Sequence, residues 1–142
     1  MELKIKVLDQ KCLPERKHKG DAGFDLHARI PKVISVGQFS TVEIPSGICV
    51  EIPPGYVGDI RPRSSLSKIS VVAEIGTIDA GYRGELKILL TNCSGKPYHV
   101  QPYERVAQLV IMPLAPIESM VIVSELSESE RGMNGLGSTG KM

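Results

Sequence analysis

The sequence lacks tryptophan, has only four tyrosines and two phenylalanines in 142 residues, and has no excess of either charge. Seventeen basic residues against sixteen acidic ones leave a formal net charge of +1. A chain this close to neutral has no overall field that would attract nucleic acid or an anionic membrane. We therefore expect neither partner, and any anion-binding site must be local.

The sequence also has few cysteines and no long apolar run. Cys12, Cys49 and Cys93 are odd in number and follow no metal-ligand spacing, which predicts reduced thiols in a cytoplasmic protein. The longest apolar region, residues 107–123, contains two prolines and a glutamate, whereas a membrane span needs about 20 apolar residues. The first ten residues alternate charged with apolar side chains, which predicts no targeting segment.

Long helices are excluded by ten prolines and fourteen glycines spread along the chain. The segments between them are short, rich in Val, Ile and Thr, and often alternate apolar with polar residues, which predicts strands. A helical turn is predicted only around residues 63–68. Strands are predicted at 3–8, 32–36, 39–44, 47–52, 56–60, 69–73, 85–92, 98–100, 105–112 and 118–123. Tight turns between so many strands favour an all-β, jelly-roll-like antiparallel barrel.

The composition changes after Val123, where large apolar residues become sparse. Such a tail is either disordered or becomes ordered over a ligand or a neighbouring subunit. We therefore divide the chain into a β domain, residues 1–124, and a flexible C-terminal arm, residues 125–142.

Several short stretches carry side chains suited to phosphate chemistry. Arginines and serines at 61–68 could bind a phosphate chain, or they could form a solvated surface. Asp79 follows an apolar strand and could be catalytic or simply a turn former. Gln108 lies among aliphatic residues and needs a partner, which could be a ligand, a backbone group or water. Asp25 could reach Mg²⁺ directly or through water.

Taken in order, these stretches resemble the five motifs of the trimeric deoxyuridine triphosphatases, or dUTPases. The motifs read AGFDLHA, PRSSL, GTIDAGYRGEL, RVAQLV and RGMNGLGSTG, and they span residues 22–140. The resemblance implies a jelly-roll-like homotrimer with active sites at subunit interfaces. It implies hydrolysis of dUTP to dUMP and pyrophosphate with Mg²⁺ as cofactor, which keeps uracil out of DNA and supplies dUMP for thymidylate synthesis.

The resemblance also assigns roles to individual residues. Asp79 would activate the attacking water, Tyr82 would stack under the deoxyribose and exclude a 2′-hydroxyl, and Asp25 would face Mg²⁺ through water. The backbone between Thr77 and Lys87 would read uracil. The remaining substrate contacts implied by the resemblance are Arg63, Ser64, Ser65, Ala73, Ile78, Gln108, Arg131, Leu136, Gly137, Ser138 and Thr139.

The chain departs from the family pattern at a few positions. Leu136 replaces the phenylalanine that usually stacks over uracil, which predicts an arm that closes less tightly. Ala73 replaces an asparagine, so that any contact with uracil there must use the backbone. Ser65 replaces a glycine of the second motif.

Two other readings remain. The related dCTP deaminases share the fold and the RSS form of the second motif, but they use a glutamate where this chain has Leu89, three residues before Asn92. An inactive nucleotide-binding homologue is disfavoured because Asp79, Arg63 and Gln108 are all retained.

Overall fold

The computed structural model describes residues 1–135, in which ten strands are joined by turns and two short helical segments. The helical segments are a 3₁₀ turn, Gln10–Cys12, and α1, Ser64–Ser67, where a helical turn was predicted. The strands are β1 Lys4–Val7, β2 Gly23–His27, β3 Ile34–Val36, β4 Ser40–Glu51, β5 Tyr56–Arg61, β6 Val71–Ala73, β7 Gly76–Ile78, β8 Glu85–Asn92, β9 Tyr98–Val100 and β10 Arg105–Pro113.

The strands form two four-stranded sheets, ordered β1-β4-β8-β6 and β2-β10-β5-β7, and a two-stranded sheet of β3 and β9. Every pairing is antiparallel. This confirms the predicted all-β, jelly-roll-like fold, although the sheets stay open and do not close into one barrel. Within residues 1–135, no helix has the length and apolar character needed to cross a bilayer.

The core lies between the two larger sheets and follows from alternation along each strand. In β8, Leu86, Ile88 and Leu90 are fully buried, while the residues between them face outward. Leu26 of β2 and Leu109 of β10 cover them from the other sheet. Each such side chain contributes about 1.5–3 kcal/mol by leaving water.

Two predicted strands, 39–44 and 47–52, form one strand, β4, with a bulge between them. The pairing of β4 with β8 shifts register between Pro45 and Cys49. Gly47 lies in the bulge with φ +76°, and a Cβ there would come within 2.7 Å of Cys12 Cβ. Both the backbone conformation and the space require glycine.

The strand predicted at 118–123 is absent from the described structure. The last strand ends at Pro113, and beyond it Met120 and Ile122 are 94% and 99% exposed. A strand needs a hydrogen-bonded neighbour, and within residues 1–135 none pairs with this segment. Apolar residues therefore stay in solvent in this single copy of the chain.

Candidate active site

A cavity of about 430 Å³ opens on the outward face of the second sheet. Strand pairing places Gln108 of β10 opposite both Asp25 of β2 and Arg61 of β5, so polar side chains form a row across three strands. The cavity is lined by Glu15, Lys17, Asp21, Ala22, Gly23, Asp25, Arg63, Ser64, Ser65, Arg105 and Gln108. The structure thus brings together predicted residues from the first, second and fourth motifs.

Asp25 lies between two arginines in this cavity. Arg63 Nε is 3.0 Å from one carboxylate oxygen of Asp25, and Arg105 Nη1 is 3.1 Å from the other. Arg63 also donates from Nη1 to the main-chain oxygen of Arg105, at 2.9 Å. The Asp25 carboxylate therefore holds two guanidinium groups at the cavity, each with further donors for an anion.

Ser64 and Ser65 begin α1 directly after Arg63. Leu66 is 7% exposed and belongs to the core, which anchors this turn, while both serines are exposed at the cavity. Their hydroxyls can therefore donate to a ligand.

Gln108 finds its partner in the backbone. Its Nε2 donates to the main-chain oxygen of Pro62 at 2.9 Å, which fixes the amide next to the turn that carries Arg63. Gly23 makes room for it, since a Cβ at Gly23 would lie 3.0 Å from Gln108 Cδ. Of the three possible partners for Gln108, a ligand, a backbone group or water, the structure shows a backbone group.

Sequence reasoning missed two cations that line the cavity, Lys17 and Arg105. The basic run at residues 15–20 was a signal for Lys17. Arg105 could have been found from its position at the start of the strand that carries Gln108, three residues before it. Both side chains add positive charge where a polyphosphate would bind.

His27 borders the same face but adds no charge. Burial lowers the pKa of its imidazole below the ordinary 6.5, with the Asp25 carboxylate opposing this effect, so His27 is neutral at pH 7. Among residues 1–135, no cluster of three or more His, Cys, Asp or Glu side chains could hold a metal.

Asp79 lies elsewhere, in the turn between β7 and β8. It is exposed, and its main-chain oxygen accepts a hydrogen bond from the Tyr82 amide at 3.0 Å, which closes the turn. The Tyr82 hydroxyl donates to the Glu85 main-chain oxygen at 3.0 Å, while 42% of Tyr82 remains exposed. A carboxylate and an aromatic ring are thus presented together at one hairpin tip.

The other predicted residues of the third motif surround this hairpin. Thr77 is exposed and Ile78 half-buried on β7. Lys87 Nζ lies 3.8 Å from carboxylates of Glu43 and Glu85. Ala73 is 1% exposed in the core, so its methyl group is unavailable to a ligand.

The candidate site has two halves, the cavity that contains Arg63 and the hairpin that carries Asp79 and Tyr82. They lie toward opposite ends of β5. Ile78, next to Asp79, pairs with Gly58, whereas Arg61, two residues before Arg63, pairs with Gln108. Gly58 and Arg61 are three strand positions apart, which corresponds to roughly 10 Å at about 3.3 Å per residue. Asp79 therefore lies outside the cavity that Arg63 lines, toward the other end of the β5–β7 pair.

The fifth motif is described only in part. Arg131 is exposed and donates from Nε to the main-chain oxygen of Asn134 at 3.0 Å, within its own turn. The predicted contacts Leu136, Gly137, Ser138 and Thr139 lie outside the described residues.

The antiparallel fold, with arginine and serine side chains around one cavity, defines the class as β proteins with a site suited to anions. The family model for dUTPase matches residues 9–140, and the chain belongs to the dUTPase family. Similar curated proteins carry the name deoxyuridine 5′-triphosphate nucleotidohydrolase. That of Clostridioides difficile is 44% identical, with 97% of each chain covered. That of Nautilia profundicola is 46% identical, covering 99% of this chain and 100% of the relative.

Solved structures agree with this assignment. The dUTPase of Staphylococcus bacteriophage 80alpha with dUpNHpp has a TM-score of 0.84 and 32% identity, with 98% of each chain covered. A dUTPase from phage phi11 of S. aureus, described with a structural Mg(II) ion, has a TM-score of 0.81 and 28% identity, covering 90% of this chain and 100% of that one.

Proposed function

We propose that this chain hydrolyses dUTP to dUMP and pyrophosphate. The proposal is carried by the β7–β8 hairpin, which presents the Asp79 carboxylate beside the exposed Tyr82 ring and has Leu89 where the dCTP deaminases use a glutamate. Without that glutamate, deamination lacks its acid–base group, whereas hydrolysis needs only a carboxylate that can activate water.

In the reaction, Asp79 accepts a proton from a water molecule as the water oxygen bonds to the α-phosphorus. The bond from that phosphorus to the oxygen bridging to the β-phosphate breaks, and pyrophosphate leaves with the bonding electrons. Because Asp79 is exposed in a tight turn, it is accessible to a nucleotide supplied from another surface.

Phosphate binding is assigned to the cavity on the second sheet. Arg63, Ser64 and Ser65 provide donors, and Gln108 supports the turn that carries them. Arg131 would add charge from the arm, together with Leu136, Gly137, Ser138 and Thr139. Most of the catalysis then comes from positioned donors that stabilise charge on the triphosphate.

Selection of deoxyuridine is assigned to the hairpin. The Tyr82 ring would lie against the sugar and leave no room for a 2′-hydroxyl. The backbone between Thr77 and Lys87, including Ile78, would read uracil, and Ala73 would contribute through its main chain only.

The donor set fits Mg²⁺ that arrives with the nucleotide. Mg²⁺ usually keeps several waters and takes one or two carboxylates plus substrate phosphates. Asp25 offers one carboxylate, and because both its oxygens pair with arginines, contact through water is the fitting mode. Bound Mg²⁺ would neutralise charge on the phosphates.

A homotrimer with active sites at its interfaces is supported by the two separated half-sites. Asp79 lies outside the cavity lined by Arg63 of the same chain, and Asp79 of one copy with Arg63 of another could face one nucleotide. The exposed apolar segment 114–123 offers further surface for a neighbouring copy.

Division into a β domain, residues 1–124, and an arm, residues 125–142, is supported by the end of the last strand at Pro113. A cytoplasmic location is supported by Cys12, Cys49 and Cys93, which are all free thiols.

A panel of deoxynucleoside triphosphates with Mg²⁺ tests this function. We expect pyrophosphate from dUTP and little from dCTP, dTTP or UTP. Ammonia from dCTP would instead identify a deaminase, and release of neither product would identify a binding protein without activity.

A further inference from the structure

A polar cluster beneath the hairpin of residues 79–84 joins three separate segments of the chain. Arg29 donates from Nε and Nη2 to the two carboxylate oxygens of Glu85, each at 2.8 Å. The Gly47 amide donates to the same carboxylate, also at 2.8 Å. Since the Glu85 side chain is only 14% exposed, this bidentate pair is partly shielded from water. We call these groups the Arg29–Glu85–Gly47 clamp.

The clamp fills a gap in the ladder between β4 and β8. At the bulge the register shifts between Pro45 and Cys49, and Cys49 pairs with Glu85. At the bulge, the β4–β8 ladder therefore supplies no main-chain acceptor for the Gly47 amide. The Glu85 carboxylate takes that place, which fixes its side chain to the bulge.

The other side of the clamp is fixed to the rest of the domain. The Arg29 amide donates to the Pro45 main-chain oxygen, and the Leu8 amide donates to that of Gly47, both at 2.8 Å. Cys12 is fully buried against Gly47 and leaves no space for a side chain there. The clamp is therefore anchored at both ends and cannot shift freely.

Glu85 connects this anchored cluster to the hairpin. Its main-chain oxygen accepts the Tyr82 hydroxyl, and the ring lies against Gly84, where a Cβ would come within 2.6 Å of Tyr82 Cζ. Arg83 Nη1 ties the turn together by donating to the main-chain oxygens of Ala80, at 2.7 Å, and Tyr82, at 2.9 Å. These contacts hold residues 79–84 together as one rigid turn. Glu85, the first residue of β8, connects this turn to the sheet.

We propose that the Arg29–Glu85–Gly47 clamp sets the angle of the hairpin and so positions the Tyr82 ring against the sugar of the substrate. Arg29 and Glu85 are then positioning residues for the choice of deoxyribose over ribose. This inference rests on the proposed function, because it concerns how the same hairpin discriminates between substrates.

The first test compares Glu85→Gln and Arg29→Gln with the wild-type protein, using the ratio of kcat/KM for dUTP to that for UTP. We expect this ratio to fall about 10- to 100-fold, because a misplacement of about 1 Å can change rates by that factor. In Glu85→Gln, the glutamine side-chain oxygen can still accept the hydrogen bond from the Gly47 amide, which favours folding of this variant. Glu51→Gln is the control, since it removes a carboxylate from the end of β4, the strand that carries Gly47, where its partner is the exposed Lys4. A ratio within about twofold of wild type in both clamp variants, as in the control, overturns the inference.

The second test is independent of activity. Hydrogen exchange of the peptide covering residues 76–86 should be about tenfold faster or more in both clamp variants, and unchanged in Glu51→Gln. If wild-type protein releases no pyrophosphate, the proposed function fails while exchange still decides whether the clamp orders the hairpin. Unchanged exchange in the clamp variants contradicts the inference. If Glu85→Gln does not fold, both measurements are made on Arg29→Gln alone. The wild-type Arg29 side chain is 38% exposed, so its replacement is less disruptive than that of Glu85.

Discussion

Arg63 Nε lies 3.0 Å from Oδ1 of Asp25, so a candidate phosphate donor and the candidate metal-facing carboxylate pair with each other in the free protein. Arg105 occupies the second oxygen, Oδ2. A triphosphate that enters the cavity meets the guanidinium donors that Asp25 leaves free, while Asp25 itself would face the metal. Binding of the nucleotide and contact with its metal are therefore linked through one ion pair.

Replacing Asp25 tests this link. Asp25→Asn should raise the Mg²⁺ concentration needed for half-maximal activity by about 10-fold or more, because the outer carboxylate that orders metal-bound water is lost. Steady-state rates over a series of Mg²⁺ concentrations measure the shift. Asp21→Asn is the control, since Asp21 lines the same cavity but its carboxylate accepts from the His18 amide. Equal shifts in the two variants would contradict the role given to Asp25.

Replacing Asp79 tests the proposed base. Asp79→Asn should retain affinity for dUpNHpp but lose about 10²- to 10⁴-fold in kcat, the usual contribution of a positioned base. Calorimetry of binding and an assay of pyrophosphate release give the two values. Turnover close to that of the wild-type protein would mean that another group activates the water.

Mixing inactive variants tests whether each site uses two copies of the chain. Asp79→Asn and Arg63→Gln should each be nearly inactive, but trimers that contain both variants should regain about one third of wild-type sites if the residues come from different copies, since one of their three interfaces then joins an intact Asp79 to an intact Arg63. Co-expression with two affinity tags isolates the mixed oligomers. Mixed oligomers no more active than either variant alone would place both residues in one chain's site.

The Glu85 ion pair predicts a dependence of stability on pH. Hydrogen bonds from Arg29 hold the pKa of the Glu85 carboxyl below its ordinary 4.5, although burial opposes this. A lowered pKa in the folded state adds stability above the unfolded value, and that stability is lost as pH falls through the folded value. The difference in free energy of unfolding between wild type and Glu85→Gln should therefore be constant above about pH 5.5 and shrink below about pH 4.5. Urea titrations at several pH values measure it, and a difference that grows on acidification would refute the assignment.

Removing the arm tests its separation from the domain. A chain ending at Glu130 should fold with nearly unchanged thermal stability, because residues 124–135 are all exposed and the core ends with β10. Its kcat/KM for dUTP should fall steeply, since Arg131 and the rest of the fifth motif are gone. Circular dichroism during heating and an activity assay separate the two effects. Loss of folding would give the arm a structural role.

Local alternation predicted most of the fold. The run from Glu85 to Asn92 alternates because one face of β8 packs on the core, and such patterns can be read from a single chain. The segment 118–123 is also rich in apolar strand-forming residues, but within residues 1–135 no strand pairs with it, and composition alone cannot supply a neighbour. The β4 bulge was also missed, because the interruption at Pro45 to Gly47 resembles a turn between two strands.

The candidate residues could be found from their motifs, but their arrangement could not. Which motifs meet is decided by strand pairing, and because β7 runs antiparallel to β5, Asp79 and Arg63 follow opposite ends of that pair. Arg29 and Glu85 are 56 positions apart in sequence, and nothing local to either residue indicated that they pair.

The cavity residues and Asp79 lie toward opposite ends of β5, and under the proposed function this makes activity depend on assembly of the chain with its partners. Under the proposed function, a newly made chain carries phosphate donors toward one end of that strand and the general base toward the other, and two copies together supply both to one nucleotide. An unassembled copy would therefore leave the cell's nucleotide pool untouched until its partners have folded and joined it.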